Sequence, residues 1–114
     1  MQRIEGDALR GHLEKLILAV LQRGEAHGLE IIRRLETAGS GALVLKEGTL
    51  YPALYRMEDS GLVKAEWEDT PERKRGPRRR IYRLTPKGKR KLQQSRQQFQ
   101  EFVTVIGGIL GATA

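Results

Sequence analysis

The sequence predicts a mainly α fold with one small β-hairpin, and three observations predict it. Before Gly61, apolar residues recur at helical spacing in three successive segments. Between Leu62 and Leu84 the period shortens to two, in two runs separated by a polar loop. Thr85-Pro86 then opens a last helical segment, with a capping hydroxyl followed by proline at the first helical position.

Residues 1–7 read as a polar arm that carries acids and has no apolar centre, so a signal peptide is not expected. Residues 8–23 form the first helix, with Leu9, Leu13, Leu16, Ile17, Val20 and Leu21 as its buried stripe, Gly11 as an interruption and Gly24 as its end. Ala26–Thr37 is the second helix, with Leu29, Ile32 and Leu35 at spacing three and Ile31 beside them. His27 at its start is read as a capping residue, not as a metal ligand or catalytic base. Gly39-Ser40-Gly41 breaks the chain, and Ala42–Leu45 is apolar and extended, either a short strand or a cover for the core.

Lys46–Gly61 is the third helix. Leu50, Leu54 and Met57 make its apolar face, and Thr49, Tyr51, Tyr55 and Arg56 lie opposite. Pro52 is expected near the helix start, where its missing N–H is not needed. Gly61 is expected to end the helix as a left-handed cap.

Leu62, Val63, Ala65 and Trp67 alternate with charged residues as a strand, and Pro77–Leu84 offers a second strand in which Ile81 and Leu84 are apolar with Tyr82 between them. Trp67 is expected to pack, and Tyr82 either packs under the hairpin or touches a phosphate through its hydroxyl. Asp69–Gly76 is the connecting loop. The last helix carries Leu92, Phe99, Phe102, Ile106 and Ile109 at spacings close to a coiled-coil seam, with polar Ser95 in the pattern. It is expected to weaken at Gly107-Gly108, with residues 107–114 fraying or packing only weakly. The division is therefore residues 1–85 as one unit and residues 86–114 as a C-terminal pairing helix and tail.

At 114 residues the chain is one domain by default. It has no cysteine, which removes disulfides and thiolate metal sites and suits the cytoplasm. His12 and His27 stand on different segments, so no metal and no cofactor is expected. No apolar run approaches the roughly 20 residues of a membrane span. The net charge of +7 is unevenly spread: residues 1–69 hold nine Lys/Arg against twelve Asp/Glu, and residues 70–114 hold twelve against two. Such asymmetry points to a polyanionic partner, double-stranded DNA before an anionic membrane.

The element order, three helices, a hairpin with a basic loop and a fourth helix, is that of a winged helix-turn-helix. In such a unit the third helix enters the major groove front end first, and the hairpin reaches phosphate or the minor groove beside it. Arg73, Lys74, Arg75, Arg78, Arg79 and Arg80 cluster in this wing, bent at Gly76-Pro77. They are expected to neutralise phosphates and make binding strongly salt-dependent. Lys87, Lys89, Arg90 and Lys91 open the last helix against its dipole, so those cations either serve another purpose or are simply exposed and screened. The DNA-contacting set on the third helix is Lys46, Thr49, Tyr51, Pro52 and Arg56. The pairing set is Leu92, Phe99, Phe102 and Ile106.

An enzyme is the competing class, but no carboxylate cluster with a partner histidine, no nucleophile set and no phosphate-cradling glycine loop is visible; Glu66, Glu68 and Asp69 stand together without such a partner. A non-specific DNA-coating protein and a winged-helix protein-interaction module compete as well. The basic wing argues against the interaction module.

LRGHLEKLILAVL, AHGLEIIRRL, EGTLYPALYRMEDSGLVKAEW and GPRRRIYRLTPKG, in that order, closely resemble the PadR family of bacterial winged-helix transcriptional regulators. The likeness runs from about Leu9 to Leu92. Its specific part is the pair GTLYPALYRME…GLV and R-x-Y-x-L-T-x-x-G. The length and single C-terminal helix look like the short subfamily, whose members pair through that helix. The resemblance implies a homodimer on an inverted-repeat operator, usually a repressor released by a small-molecule effector. It also implies that Thr49, Tyr51 and Pro52 approach DNA and that Gly76, Arg79 and Arg80 stand in the wing. Two residues depart from the pattern. Leu29 replaces a tyrosine after His-Gly, and Phe99 stands where some members carry a ligand-stacking tryptophan. A core or seam role is therefore expected for Phe99.

Overall fold

Ile17, Ile31, Leu50, Ala53, Leu54 and Met57 are completely buried, and they come from three different helices. Their convergence builds the fold. The computed structural model describes residues 3–4, 9, 11–68 and 78–111. Within them run α1 (Leu13–Leu21), β1 (Ala26–His27), α2 (Gly28–Ala38), α3 (Glu47–Asp59), β2 (Val63–Trp67), β3 (Arg80–Leu84) and α4 (Pro86–Leu110). The strands form an antiparallel sheet in the order β1-β3-β2. The architecture is the expected mainly α fold with a small β wing.

α1 starts at Leu13, later than the apolar pattern suggested, because Gly11 takes a positive φ of 83° that no helix continues through. Its last carbonyls are served from a distance. Arg34 on α2 donates to the carbonyl oxygens of Val20 at 3.0 Å, Gly24 at 2.7 Å and Glu25 at 3.4 Å. Arg34→Ala is expected to lower stability by about 1–2 kcal/mol, since hydrogen bonds from a charged donor are lost. Urea denaturation measures this. An unchanged midpoint would mean that water replaces the guanidinium without loss.

The second helix begins two residues later than its sequence pattern, because Ala26 and His27 pair with Tyr82 and Ile81 as a short edge strand. Residues 42–45 form no strand. They cover the core, with Ala42, Leu43 and Leu45 buried.

α3 corrects the expectation for Pro52, which lies at its sixth residue, not in its first turn. Its missing N–H leaves the Gly48 carbonyl without an i+4 donor. Both residues are exposed, so water can take that carbonyl and the helix continues. The helix ends as predicted. Gly61 has φ +75°, its N–H reaches the Glu58 carbonyl at 3.0 Å, and the Leu62 N–H reaches the Met57 carbonyl at 2.9 Å. Lys87 Nζ adds a bond to the Ser60 carbonyl at 2.7 Å. This is one purpose for a cation at the unfavourable end of α4.

In the hairpin, Tyr82 is the inward residue, 1% exposed, and Ile81 turns to the other face. The register explains the exchange. Tyr82 is flanked across the sheet by Ala65 and Ala26, two small neighbours that leave room for a phenol ring. Trp67 shares that face, yet it is 55% exposed, because it lies at the far end of the hairpin. The expectation that it packs is therefore corrected.

α4 opens as predicted, with Thr85 Oγ1 accepting from the Gly88 N–H at 3.0 Å and Pro86 in the first turn. It continues through Gly107 and Gly108 and stops at Gly111, whose φ of +75° is left-handed. Up to Gly111 the end stays helical rather than frayed, and with Ile109 77% and Leu110 74% exposed it packs only weakly on the chain's own core, the other outcome expected there; residues 112–114 lie outside the described residues. Leu92 and Ser95 are buried against the chain's own core. Among the described residues no helix is long and apolar enough to cross a membrane.

Candidate nucleic-acid interface

With Leu50, Ala53, Leu54 and Met57 locked inside, the 100° turn per residue fixes what α3 shows outward. Gly48, Pro52, Tyr55 and Asp59 fall at the centre of the outward face. Thr49 and Arg56 fall on one flank and Tyr51 on the other. The predicted set is therefore split. Thr49 and Arg56 line a 520 Å³ cleft with Glu14 and Lys15 of α1 and Lys91 of α4. Tyr51 lines a separate 350 Å³ cleft with Tyr55, His27 and the wing base. Lys46 is exposed at the N-cap of α3, where its side chain makes no capping bond.

Tyr51 is half-buried against the start of α2. A Cβ on Gly28 would collide with the Tyr51 hydroxyl and ring, so glycine there is what admits the phenol. Burial, reinforced by Glu47 and Tyr55, raises the Tyr51 pKa above the ordinary phenol value and keeps it a neutral donor. Tyr55, more than half exposed at the centre of the outward face, was on the predicted polar side but outside the predicted contact set.

The three described wing arginines differ in what holds them. Arg80 is bound bidentately by Glu58 of α3, Nη1 to Oε1 at 3.1 Å and Nη2 to Oε2 at 2.8 Å. Its charge is thereby matched within the fold. Arg78 is exposed, and its guanidinium lies 5.7 Å from the Trp67 ring centroid; that of Arg80 lies 5.8 Å from the same ring. Trp67 thus carries both arginines at the wing base. Arg79 turns to the other side and meets His27, Nη1 to Nε2 at 3.1 Å. The predicted contacts Arg73, Lys74, Arg75 and Gly76 lie outside the described residues.

The Arg80–Glu58 pair ties the wing to the far end of α3, so it acts as a strut. Arg80→Ala is expected to cost about 1–2 kcal/mol of stability, between the values for exposed and buried pairs. The salt slope of DNA binding is expected to stay unchanged. A slope lowered by one would show that this guanidinium reaches phosphate after all.

His27 is the residue that sequence reasoning placed only as a cap. The cap is present, with Nδ1 accepting from the Glu30 N–H at 3.2 Å. Burial first, then the Arg79 guanidinium, lower its pKa below the ordinary imidazole value. No sequence signal connected it to Arg79, which is 52 residues away.

On the pairing set, Phe99 and Phe102 stack at 6.3 Å between centroids and are 42% and 55% exposed. Phe99 also meets the His12 ring edge-on at 5.8 Å, with Lys15 Nζ 5.3 Å from its centroid. Ile106 is exposed as well, whereas Leu92, 2% exposed, is already enclosed by its own chain. The exposed apolar stripe of α4 thus begins at Phe99.

Comparison with known proteins shows the family of the fold. Residues 17–94 match the family described as the transcriptional regulator PadR-like family. The chain is 33% identical over 109 residues to transcriptional regulator Rv3488 of Mycobacterium tuberculosis, spanning 95% of this chain and 92% of that protein. A transcriptional regulator from Clostridium thermocellum superposes with a TM-score of 0.80 at 30% identity, covering 90% of this chain and 97% of that one. A PadR family regulator from Eggerthella lenta gives 0.78 at 29% identity, covering 94% and 88%.

Proposed function

The chain belongs to the PadR-like family of transcriptional regulators, and from that premise we propose that it is a homodimeric repressor binding an inverted-repeat operator, released by a small-molecule effector. The observation that carries the reading is the placement of α3. Its apolar face is wholly buried, and its outward face stands between the wing base and the basic start of α4. In this reading α3 enters the major groove, with Thr49, Tyr51, Pro52 and Tyr55 nearest the bases and Lys46 and Arg56 at the rims. Arg78, Arg79 and the cations of residues 73–75 lie along phosphate. A two-fold protein demands a two-fold site, so the seam from Phe99 to Ile106 and the inverted repeat stand together. Repression and effector release follow from the family resemblance.

The test is capture of genomic fragments by the purified chain, followed by footprinting. A symmetric protected site of two half-sites supports the proposal. Protection without symmetry or sequence preference would replace it with DNA coating.

A further inference from the structure

A neutral imidazole has one lone pair available in the ring plane, and the His27 ring faces two donors. The Glu30 backbone N–H points at Nδ1 from 3.2 Å, and Arg79 Nη1 stands 3.1 Å from Nε2. Only one of them can be accepted. If Nδ1 keeps the helix cap, Nε2 carries the proton, and an N–H of the ring faces an N–H of the guanidinium. If Nε2 accepts from Arg79 instead, the Glu30 N–H loses its cap. The arrangement lacks an acceptor whichever tautomer is present.

We propose that His27 and Arg79 together clamp one backbone phosphate of the DNA, an assignment that rests on the DNA-binding reading above. One phosphate oxygen supplies the missing acceptor. Arg79 swings from the ring onto the phosphate, the His27 Nε2–H donates to the same group, and Nδ1 retains the cap. The place fits. His27, Arg79, Arg78, Tyr51 and Tyr55 line one cleft between α2, the outward face of α3 and the wing base. In a winged helix that cleft lies over the strand separating the groove read by the helix from the groove reached by the wing. Other charges face the ring: Glu30 and Arg33 on α2, and Glu68 just past β2. Glu30 is itself paired with Arg33 at 2.9 Å and Arg34 at 3.5 Å, which moderates its repulsion of a phosphate. In the free chain, burial and then the Arg79 guanidinium lower the imidazole pKa, so the ring waits there in its neutral form.

The test separates the clamp from the cap. Asparagine and aspartate both cap helices well, so His27→Asn and His27→Asp keep the fold, as checked by thermal melting. Binding is measured by fluorescence anisotropy on a short random-sequence duplex, since a phosphate contact is independent of sequence. His27→Asn is expected to bind about tenfold more weakly with its salt slope unchanged, because a neutral donor is lost. His27→Asp is expected to bind more weakly still, because it sets a carboxylate against the phosphate. Arg79→Ala is expected to lower the slope by about one. A scan of single neutral methylphosphonate substitutions is then expected to find one position where wild type and His27→Asn bind alike. Wild-type affinity in both His27 variants, or a constant ratio at every substituted position, would overturn the clamp. A wild-type chain that binds no duplex at all would instead overturn the DNA-binding reading.

Discussion

Gly88→Ala is expected to lower stability by about 2–3 kcal/mol, although alanine is the better helix former by about 1 kcal/mol. Gly88 is the third residue of α4 and is buried. A Cβ there would run into the Leu62 carbonyl, with Leu84 Cδ2 at 3.4 Å behind it. That carbonyl cannot move aside cheaply. It accepts from the Thr85 N–H at 3.2 Å, and the Thr85 hydroxyl, which caps α4, shares its one proton between the adjoining Gly61 carbonyl at 2.5 Å and the Leu62 carbonyl at 3.1 Å. Moving Leu62 therefore strains the join between α3, the hairpin and α4 at once. A melting temperature lower by on the order of 10–20 °C is the expected reading. Lys89→Ala, exposed in the same turn, is expected to stay within about 0.5 kcal/mol of wild type. A Gly88→Ala chain melting at or above wild type would show that α4 can shift away from Leu62.

Why glycine stands at this position was not legible in the sequence, although the motif containing it was. Spacing reveals which face of an element is apolar, and it located Leu50, Leu54 and Met57 as the buried face of α3. Capping chemistry is local too, so Thr85-Pro86 and Gly61 read correctly. Three kinds of feature escaped. β1 has two residues, too few for alternation to register. Trp67 alternates like a core residue, but period says nothing of where along a strand the core stops. Partners far apart in the chain leave no trace in a window. Glu58 matches Arg80 from 22 residues away, and the described end of the basic run, Arg78 to Arg80, is divided among a stacked cation, a histidine contact and a strut. The two glycines near the end of α4 misled for a related reason. Gly107 and Gly108 weaken helix propensity without forbidding helical dihedrals, and only the left-handed Gly111 ends the helix.

The double substitution Phe99→Glu with Phe102→Glu is expected to yield monomers by sedimentation equilibrium. Both rings lie on the distal half of α4, where Val103, Ile106, Ile109 and Leu110 are exposed as well. A single chain rarely leaves so continuous an apolar stripe to water. Removing two phenyl rings forfeits about 1.5–3 kcal/mol each, and burying unpaired carboxylates in their place costs more. Dimer dissociation constants are thus expected to rise by at least about 10²-fold. The monomer is expected to remain folded, because the stripe lies beyond the buried Leu92 and Ser95, and Lys15, now over the Phe99 ring, can meet the new carboxylate. Circular dichroism at wild-type helicity checks that part. Under the proposed dimeric reading, operator affinity then reports on pairing itself. A monomer engages one half-site and loses the effective concentration that links the two, so discrimination of operator from random duplex collapses while salt-dependent binding to either persists. Dimers that survive both substitutions would place the pairing surface elsewhere on the chain, with the 520 Å³ cleft between α1, α3 and α4 the next region to probe.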